Sequence, residues 1–130
     1  MGGIVTDAAG RLLLVRRGHE PSLGLWSVPG GRVEPGETDT AAVRREVREE
    51  TSLDVLVGEL AGAVERPAPG GSLFVIRDYH CRPAPDADLT AVRAGDDADE
   101  VGWFTREEVL ALDCTPGLVE ALTGWRVLAR

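Results

Sequence analysis

The chain has 130 residues, a net charge of −8 and 43% hydrophobic residues, which is the size of one domain with material for a single core. The acidic balance argues against stable binding to nucleic acid or to an anionic membrane surface, and no apolar run is long enough to span a bilayer. All 14 basic residues are arginine, so any direct cationic grip on a phosphate must come from a guanidinium, which can bond two oxygens at once.

The opening "MGGIVTDAAGRLLLVRR" lacks the basic start and apolar block of a signal peptide. It predicts a strand near Ile4–Val5, a turn over Asp7–Gly10 and a strand from Arg11 to Arg17. A first strand this short leaves an edge on which a second copy could pair, which makes a homodimer an expectation. "GHEPSLGLWSVPGGRVEPGE" is punctuated by glycine and proline and reads as a loop with a short strand at Trp26. A helix is predicted from Asp39 to Thr51, with Thr38 as N-cap and Asp39 at the positive end of the dipole. "LDVLVGELAGAVER" reads as one or two strands, "RPAPGGS" as a turn, and "LFVIRDYHC" as an aromatic and β-branched strand. After the acidic loop "RPAPDADLTAVRAGDDADE" come the strand "EVGWF", a helix "TREEVLAL" capped by Thr105, and a closing helix in "TPGLVEALTGW" with Pro116 in its first turn. Strands and helices interleave without a regular βαβ repeat. The predicted architecture is one α/β (α+β) domain over residues 1–130, with a mixed sheet and helices on both faces. Cys81 and Cys114 stand far apart without metal-ligand spacing and read as free thiols of a reducing cytoplasm.

The predicted helix carries "REVREE", Arg45 to Glu50. Glu46 and Glu50 are four apart, where like charges repel across one turn. At about 100° per residue Glu46, Glu49 and Glu50 share one arc, and Val43 and Val47 lie at its edge. The acidic stripe therefore borders the core, where repulsion is poorly screened unless a cation sits among the carboxylates. Mg²⁺ suits such oxygen ligands and tolerates substrate phosphates in its shell. The same six residues also fit a solvated helix face with Arg45 paired to Glu49.

The loop before the helix decides between these readings. From Gly31 the sequence runs "GRVEPGETDTAAVRREVREETSL", which resembles the Nudix box, Gly-x5-Glu-x7-Arg-Glu-U-x-Glu-Glu-x-Gly-U with U a bulky apolar residue. Gly31, Glu37, Arg45, Glu46, Val47, Glu49, Glu50 and Leu53 match in register. The flanking "GLWSVPG" and "DEVGWF" are also similar to what surrounds the box in many members. Ser52 stands where the family has glycine, at a helix end that often needs a left-handed backbone. Serine adopts that conformation at a cost of about 1 kcal/mol.

The resemblance implies a Nudix-type α/β/α sandwich and a divalent-metal-dependent attack of water on a pyrophosphate linkage of a nucleoside diphosphate joined to another group. Mg²⁺, or Mn²⁺ in its place, is the implied ion. Glu49 and Glu50 are implied ligands, with Glu46 either a third ligand or the base, and the Gly30 carbonyl a further ligand. Glu37 and Arg45 are implied to tie the loop to the helix and orient those carboxylates. A late acidic residue often completes the site, and Asp96, Asp97, Asp99 and Glu100 are the candidates. For substrate contacts the sequence offers Arg16, Arg17, Arg32, Glu34 and, for stacking, Trp26, Phe74, Tyr79, Trp103 and Phe104; Trp26 and Trp103 are more often core than platform. His19 and His80 form no cluster with the cysteines, against zinc binding and Cys–His catalysis. Both an ADP-ribose-like nucleotide sugar and an oxidised nucleoside triphosphate fit as substrate. A catalytically silent domain that senses a nucleotide or binds a protein is the alternative of a different class.

Overall fold

Alternation along the N-terminal strands decides what packs on either side of them. The computed structural model describes residues 1–128. In chain order the elements are β1 (Gly2–Val5), β2 (Leu12–Arg17), β3 (Trp26–Ser27), α1 (Asp39–Thr51), β4 (Val55–Pro67), β5 (Leu73–Pro83), β6 (Ala98–Phe104), α2 (Arg106–Ala111) and α3 (Leu118–Gly124), with 3₁₀ turns at Pro69–Gly71 and Leu89–Ala91. Ile4, Leu12 and Leu14 join Val109, Leu118 and Leu122 in one buried cluster, under α2 and α3. Val5 and Leu13, one residue out of phase, join Val43, Val47, Leu53, Val55 and Cys81 in another, under α1. Successive strand residues point to opposite faces, so the unbroken apolar run of β2 feeds two cores at once. The helices lie on both faces, as the sequence predicts.

The strands form two three-stranded sheets. One is mixed, in the order β1-β5-β4 with β1 parallel to β5 and β4 antiparallel to it; the other is antiparallel, in the order β3-β2-β6. The expected mixed sheet is thus present beside a second, antiparallel one, and isolated bridges at Gly2–Gly30 and Thr6–Leu12 link the two. "LDVLVGELAGAVER" forms one long strand rather than two. The last strand begins at Ala98, two residues before the expected start. Pro116 precedes the N-cap Gly117 of α3 and does not lie in its first turn. The outer side of β1 is already occupied: the Gly3 amide donates to the Pro29 carbonyl at 2.9 Å and the Gly31 amide to the Met1 carbonyl at 2.9 Å. That edge offers no basis for the expected pairing with a second copy.

α1 is placed by its cap and its apolar stripe. The Thr38 hydroxyl accepts from the Ala41 amide at 3.1 Å, while Ala42, Val43 and Val47 are fully buried. Each such valine contributes on the order of 1.5–3 kcal/mol relative to an exposed one. At the other end Ser52 takes a left-handed backbone with φ 64°, its amide donating to the Arg48 carbonyl. Serine therefore adopts the turn for which the family pattern has glycine. α2 is stopped at its start by a capping box between Thr105 and Glu108. Cys81 and Cys114 are free thiols. Among the described residues no helix is long and apolar enough to cross a membrane.

Candidate active site

Helix α1 and the loop before it are clamped together by one guanidinium. Arg45 Nε donates to Glu37 Oε2 at 2.8 Å and Nη2 to Glu37 Oε1 at 2.9 Å, a forked pair. Nη2 also donates to the Arg32 carbonyl at 3.1 Å, and Nη1 to Glu46 Oε1 at 2.9 Å and Glu49 Oε2 at 3.3 Å. Glu34 lies at the edge of this cluster, 3.8 Å from Nη1, and its amide donates to Glu37. The Arg45 hydrogen bonds hold the Glu37 carboxyl down at about 2, assisted by the Glu34 amide, and the carboxylates raise Arg45 in turn. The Arg45–Glu49 pair expected of a bland helix face exists, but at 3.3 Å it is longer than the hydrogen bonds from Arg45 to Glu37, Glu46 and Arg32.

The three box glutamates stand in three environments. Glu49 is the wettest, its side chain 57% exposed, whereas that of Glu46 is 16% exposed. Burial raises Glu46, opposed by the hydrogen bond and charge of Arg45 and reinforced by Glu49 and Asp97. Glu50 is pushed up to about 7, by burial first; the Gly30 amide, which donates to its Oε2 at 2.9 Å, and Arg17 oppose the shift, while Glu46 and Asp97 add to it. The glycines of "PGG" allow the close approach. A β-carbon on Gly31 would stand 2.6 Å from the Glu46 carboxyl, so the loop backbone itself covers that side chain.

The acidic loop reaches the site through the orphan carbonyls at the end of α1. The Arg93 amide donates to Thr51 and the Gly95 amide to Glu50, each at 3.0 Å, and Gly18 donates to the Asp97 carbonyl at 3.1 Å. This threading leaves Asp97 within electrostatic reach of Glu46 and Glu50. Asp99 and Glu100 are drawn away by Arg16, whose guanidinium lies 3.8 and 3.1 Å from them. Among the described residues no hydrogen bond or ion pair ties Asp96 to the glutamates, and it is absent from the charges acting on Glu46 and Glu50. Arg16, expected among the substrate contacts, is thereby committed to its own strand pairing partner, since Arg16 sits opposite Glu100 in the β2–β6 register. Arg17 donates to the Pro21 carbonyl at 2.6 Å and faces Glu50 electrostatically. Arg32 is exposed. Trp26 is not a free stacking platform: its ring meets Phe104 edge-on, centroids 5.0 Å apart, against the α2/α3 core. Trp103 donates to the Leu89 carbonyl at 3.0 Å.

Among the described residues no three His, Cys, Asp or Glu side chains converge closely enough to clasp an ion as they stand. The reason lies in their partners: Glu46 turns to Arg45 and Glu50 to the Gly30 amide. Sequence reasoning missed one network entirely. Arg77 donates to both Asp39 oxygens at 2.6 and 2.9 Å, and the Tyr79 hydroxyl donates to Asp39 at 2.5 Å, holding the Asp39 carboxyl down at about 2. Asp39 was readable only as a favourable charge at the helix start; the alternation that points Arg77 and Tyr79 to the α1 side was the available signal.

A family model of the NUDIX domain matches residues 1–122. A MutT-like protein of Streptomyces ambofaciens is 36% identical over 109 residues, 84% of this chain and 64% of that protein. An ADP-ribose pyrophosphatase of Methanocaldococcus jannaschii is 35% identical over 100 residues, 77% and 57% of the two chains. This chain thus spans somewhat less than two thirds of either relative. A CTP pyrophosphohydrolase of Escherichia coli is 28% identical over 125 residues, 95% of this chain and 88% of that one. Among solved structures, the MutT NUDIX hydrolase of Burkholderia pseudomallei superposes with a TM-score of 0.78 at 27% identity, covering 94% of this chain and 92% of its own. The match of residues 31–53 to the box is therefore part of a likeness that runs through the fold, and the chain belongs to the NUDIX family of hydrolases.

Proposed function

We propose that the chain hydrolyses a pyrophosphate bond in a nucleoside diphosphate joined to another group, using Mg²⁺ or Mn²⁺ held by Glu46, Glu49, Glu50 and the Gly30 carbonyl. The observation that carries this reading is Glu50: a carboxyl raised to about 7 by burial, beside a second raised carboxyl at Glu46, both against the Gly30–Gly31 backbone. Two such groups repel each other and are costly to ionise there. A donor set made only of carboxylate and carbonyl oxygen fits a hard divalent cation. When bound, the ion would neutralise the charge of the phosphates and polarise the scissile P–O bond.

The chain's own residues supply the rest. Arg45 and Glu37 fix the loop on the helix and hold Glu46 in place. Burial makes Glu46 and Glu50 more basic than free carboxylates, which suits either to receive a proton from water near neutral pH. Asp97 adds negative charge within reach of Glu46 and Glu50. Arg17 is the cation best placed to meet a phosphate. Between the two substrate readings, a nucleoside triphosphate is favoured: the relative named as a CTP pyrophosphohydrolase aligns over 88% of its length, whereas the one named as an ADP-ribose pyrophosphatase has 57% of its length matched.

The test is product analysis on a panel of common and oxidised nucleoside triphosphates and ADP-ribose, with and without Mg²⁺, beside calorimetry of Mg²⁺ and Mn²⁺ uptake. Metal-dependent release of pyrophosphate and a nucleoside monophosphate from triphosphates is expected, with uptake weakened in Glu50→Gln. No hydrolysis of any member, together with no uptake of either ion, overturns the proposal; uptake without hydrolysis supports a silent nucleotide-sensing domain instead.

A further inference from the structure

One face of the β1-β5-β4 sheet is covered at one end and open at the other. Arg77 and Tyr79 reach Asp39 of α1, and Cys81 packs in the cluster under that helix. The alternate residues of β5, His80 and Arg82, therefore stand on the face turned away from α1. Ile4, in register with His80, is fully buried in the α2/α3 cluster, yet His80 and Arg82 are exposed. The cover stops at β1 and leaves the next strand bare. A cavity of about 340 Å³ lies there. Its lining includes Thr6, Leu56, Gly58, His80 and Arg82, and no acidic residue.

Strand pairing brings these groups together. Leu56 lies opposite Arg82 in the β4–β5 register. Thr6, whose amide donates to the Cys81 carbonyl at 3.2 Å, follows Val5 to the other side of Arg82. Thr6, Arg82 and Leu56 thus form a row across three strands, about 5 Å apart, with His80 about 7 Å back along β5. The β4 register slips between Val57 and Leu60 and sets Gly58 beside His80, where a β-carbon would stand 3.2 Å from the His80 carbonyl. The bulge opens the sheet without filling the space. Among the described residues the Thr6 hydroxyl, the His80 ring and the Arg82 guanidinium have no hydrogen bond or ion pair. The carboxylate next in sequence to Thr6, Asp7, is held by the Arg11 side chain and the amides of Ala9 and Arg11. Three donors in a chain of net charge −8 are left facing one cavity.

We propose that this cavity binds a phosphate monoester, its terminal oxygens held by Arg82, His80 and Thr6 and its organic body laid on Leu56. A guanidinium bonds two oxygens at once, an imidazole presents an N–H in either tautomer, and the hydroxyl donates a further bond. Donors reaching in from two strands suit a tetrahedral group with three free oxygens better than a planar carboxylate. The volume falls within the range of small-molecule sites, about 300–1,000 Å³, and leaves room for a sugar-sized body beside the phosphate. Thr6 stands about 13 Å along β1 from Gly2, the residue that pairs with Gly30, and the cavity opens on the face away from α1. It is a second site, independent of the hydrolase reading.

The experiment follows amide NMR spectra and calorimetry with ribose-5-phosphate, inorganic phosphate and ribose, in EDTA to keep metal out of the glutamate cluster. Ribose-5-phosphate is expected to shift the amides of Thr6, Gly58, His80 and Arg82 with a Kd of about 1 mM or tighter. Inorganic phosphate should shift the same amides with an affinity lower by about threefold or more, and ribose should shift none. Arg82→Gln and His80→Gln change exposed side chains and should each weaken ribose-5-phosphate by about tenfold. No shift of these amides up to about 10 mM, an equal response to ribose, or affinities unchanged in both variants would overturn the assignment. Shifts confined to residues 30–50 would put the phosphate in the site already described and overturn it as well. Equal affinity for inorganic phosphate and the sugar phosphate would overturn the monoester in favour of the free ion.

Discussion

Replacing Glu50 by glutamine separates the cost of the buried carboxylate from the use made of it. Glu50 titrates at about 7, against 4.5 for an ordinary glutamate. The folded value lies above the unfolded one, so the folded chain holds this proton more tightly. The stability that the neutral form contributes is complete below the ordinary value, declines as pH rises between the two, and is gone above the folded value. The difference amounts to about 3 kcal/mol. Glutamine removes the charge and keeps an oxygen for the Gly30 amide. In EDTA at about pH 8, Glu50→Gln should therefore be more stable than the parent by about 3 kcal/mol, or about 10 °C in Tm for a chain of this length. At about pH 4.5 the two should melt together. Mg²⁺ should then raise the parent and leave the variant nearly unmoved, closing the gap. Scanning calorimetry at both pH values, with and without metal, reads all of this. A variant that melts below the parent at the higher pH without metal, or one that keeps the same margin at both, would refute the account of Glu50 as a desolvated, metal-seeking carboxylate.

Four other outcomes follow from the same geometry. Glu49→Gln should lower kcat by about a hundredfold or more with little change in Tm, since the side chain is mostly solvated and its loss falls on the reaction; steady-state kinetics beside a melt would show it. Arg45→Lys cannot reproduce a fork that meets Glu37 with two nitrogens while reaching Glu46 and the Arg32 carbonyl, so urea unfolding should report a loss of about 1–3 kcal/mol and kinetics a fall of about tenfold or more. Ser52→Gly relieves a left-handed serine at φ 64° and should stabilise the chain by up to about 1 kcal/mol without touching turnover. Asp97→Asn should weaken Mg²⁺ uptake by about tenfold and lower the acidic limb of the kcat profile, because its charge raises both Glu46 and Glu50, whereas Asp96→Asn should change neither measurement.

The sequence was most informative where local chemistry and tertiary demand agree. Thr38, the apolar spacing of Val43 and Val47, and the change of residue type at Ser52 set both ends of α1 as observed, because cap, stripe and stop each act within a turn of the residue concerned. The Glu37–Arg45 clamp was legible through the family pattern, not through spacing alone. Division of the strands into two sheets was not legible, because the apolar run of β2 is compatible with burial on both faces in either arrangement and the separating choice is made by pairings over long range, β1 with β5 and β2 with β6. The partners of Arg16 and Trp26 were not legible for the same reason. A guanidinium near a phosphate-binding loop and an aromatic in a glycine-rich segment look available until Glu100 and Phe104, some eighty residues further on, are brought opposite them.

Three glutamates in five residues acquire three characters because each meets a different part of the fold. Glu50 lies where Gly30 crosses beside β1 and the 93–95 segment closes over the last carbonyls of α1, so it loses water from both sides. Glu46, one turn earlier, is covered by Gly31, and burial raises it, but it keeps Arg45 as a neighbour, which offsets part of that rise. Glu49 turns outward and remains solvated. A cation approaching from solvent would meet Glu49 first, with little desolvation to overcome, and gain most at Glu50, where the carboxylate has the most to recover from pairing. The gradient of exposure falls from Glu49 to the covered Glu46 and Glu50. It is produced by the glycine pair and the acidic loop, not by the helix, whose own periodicity would leave Glu46 and Glu50 equivalent.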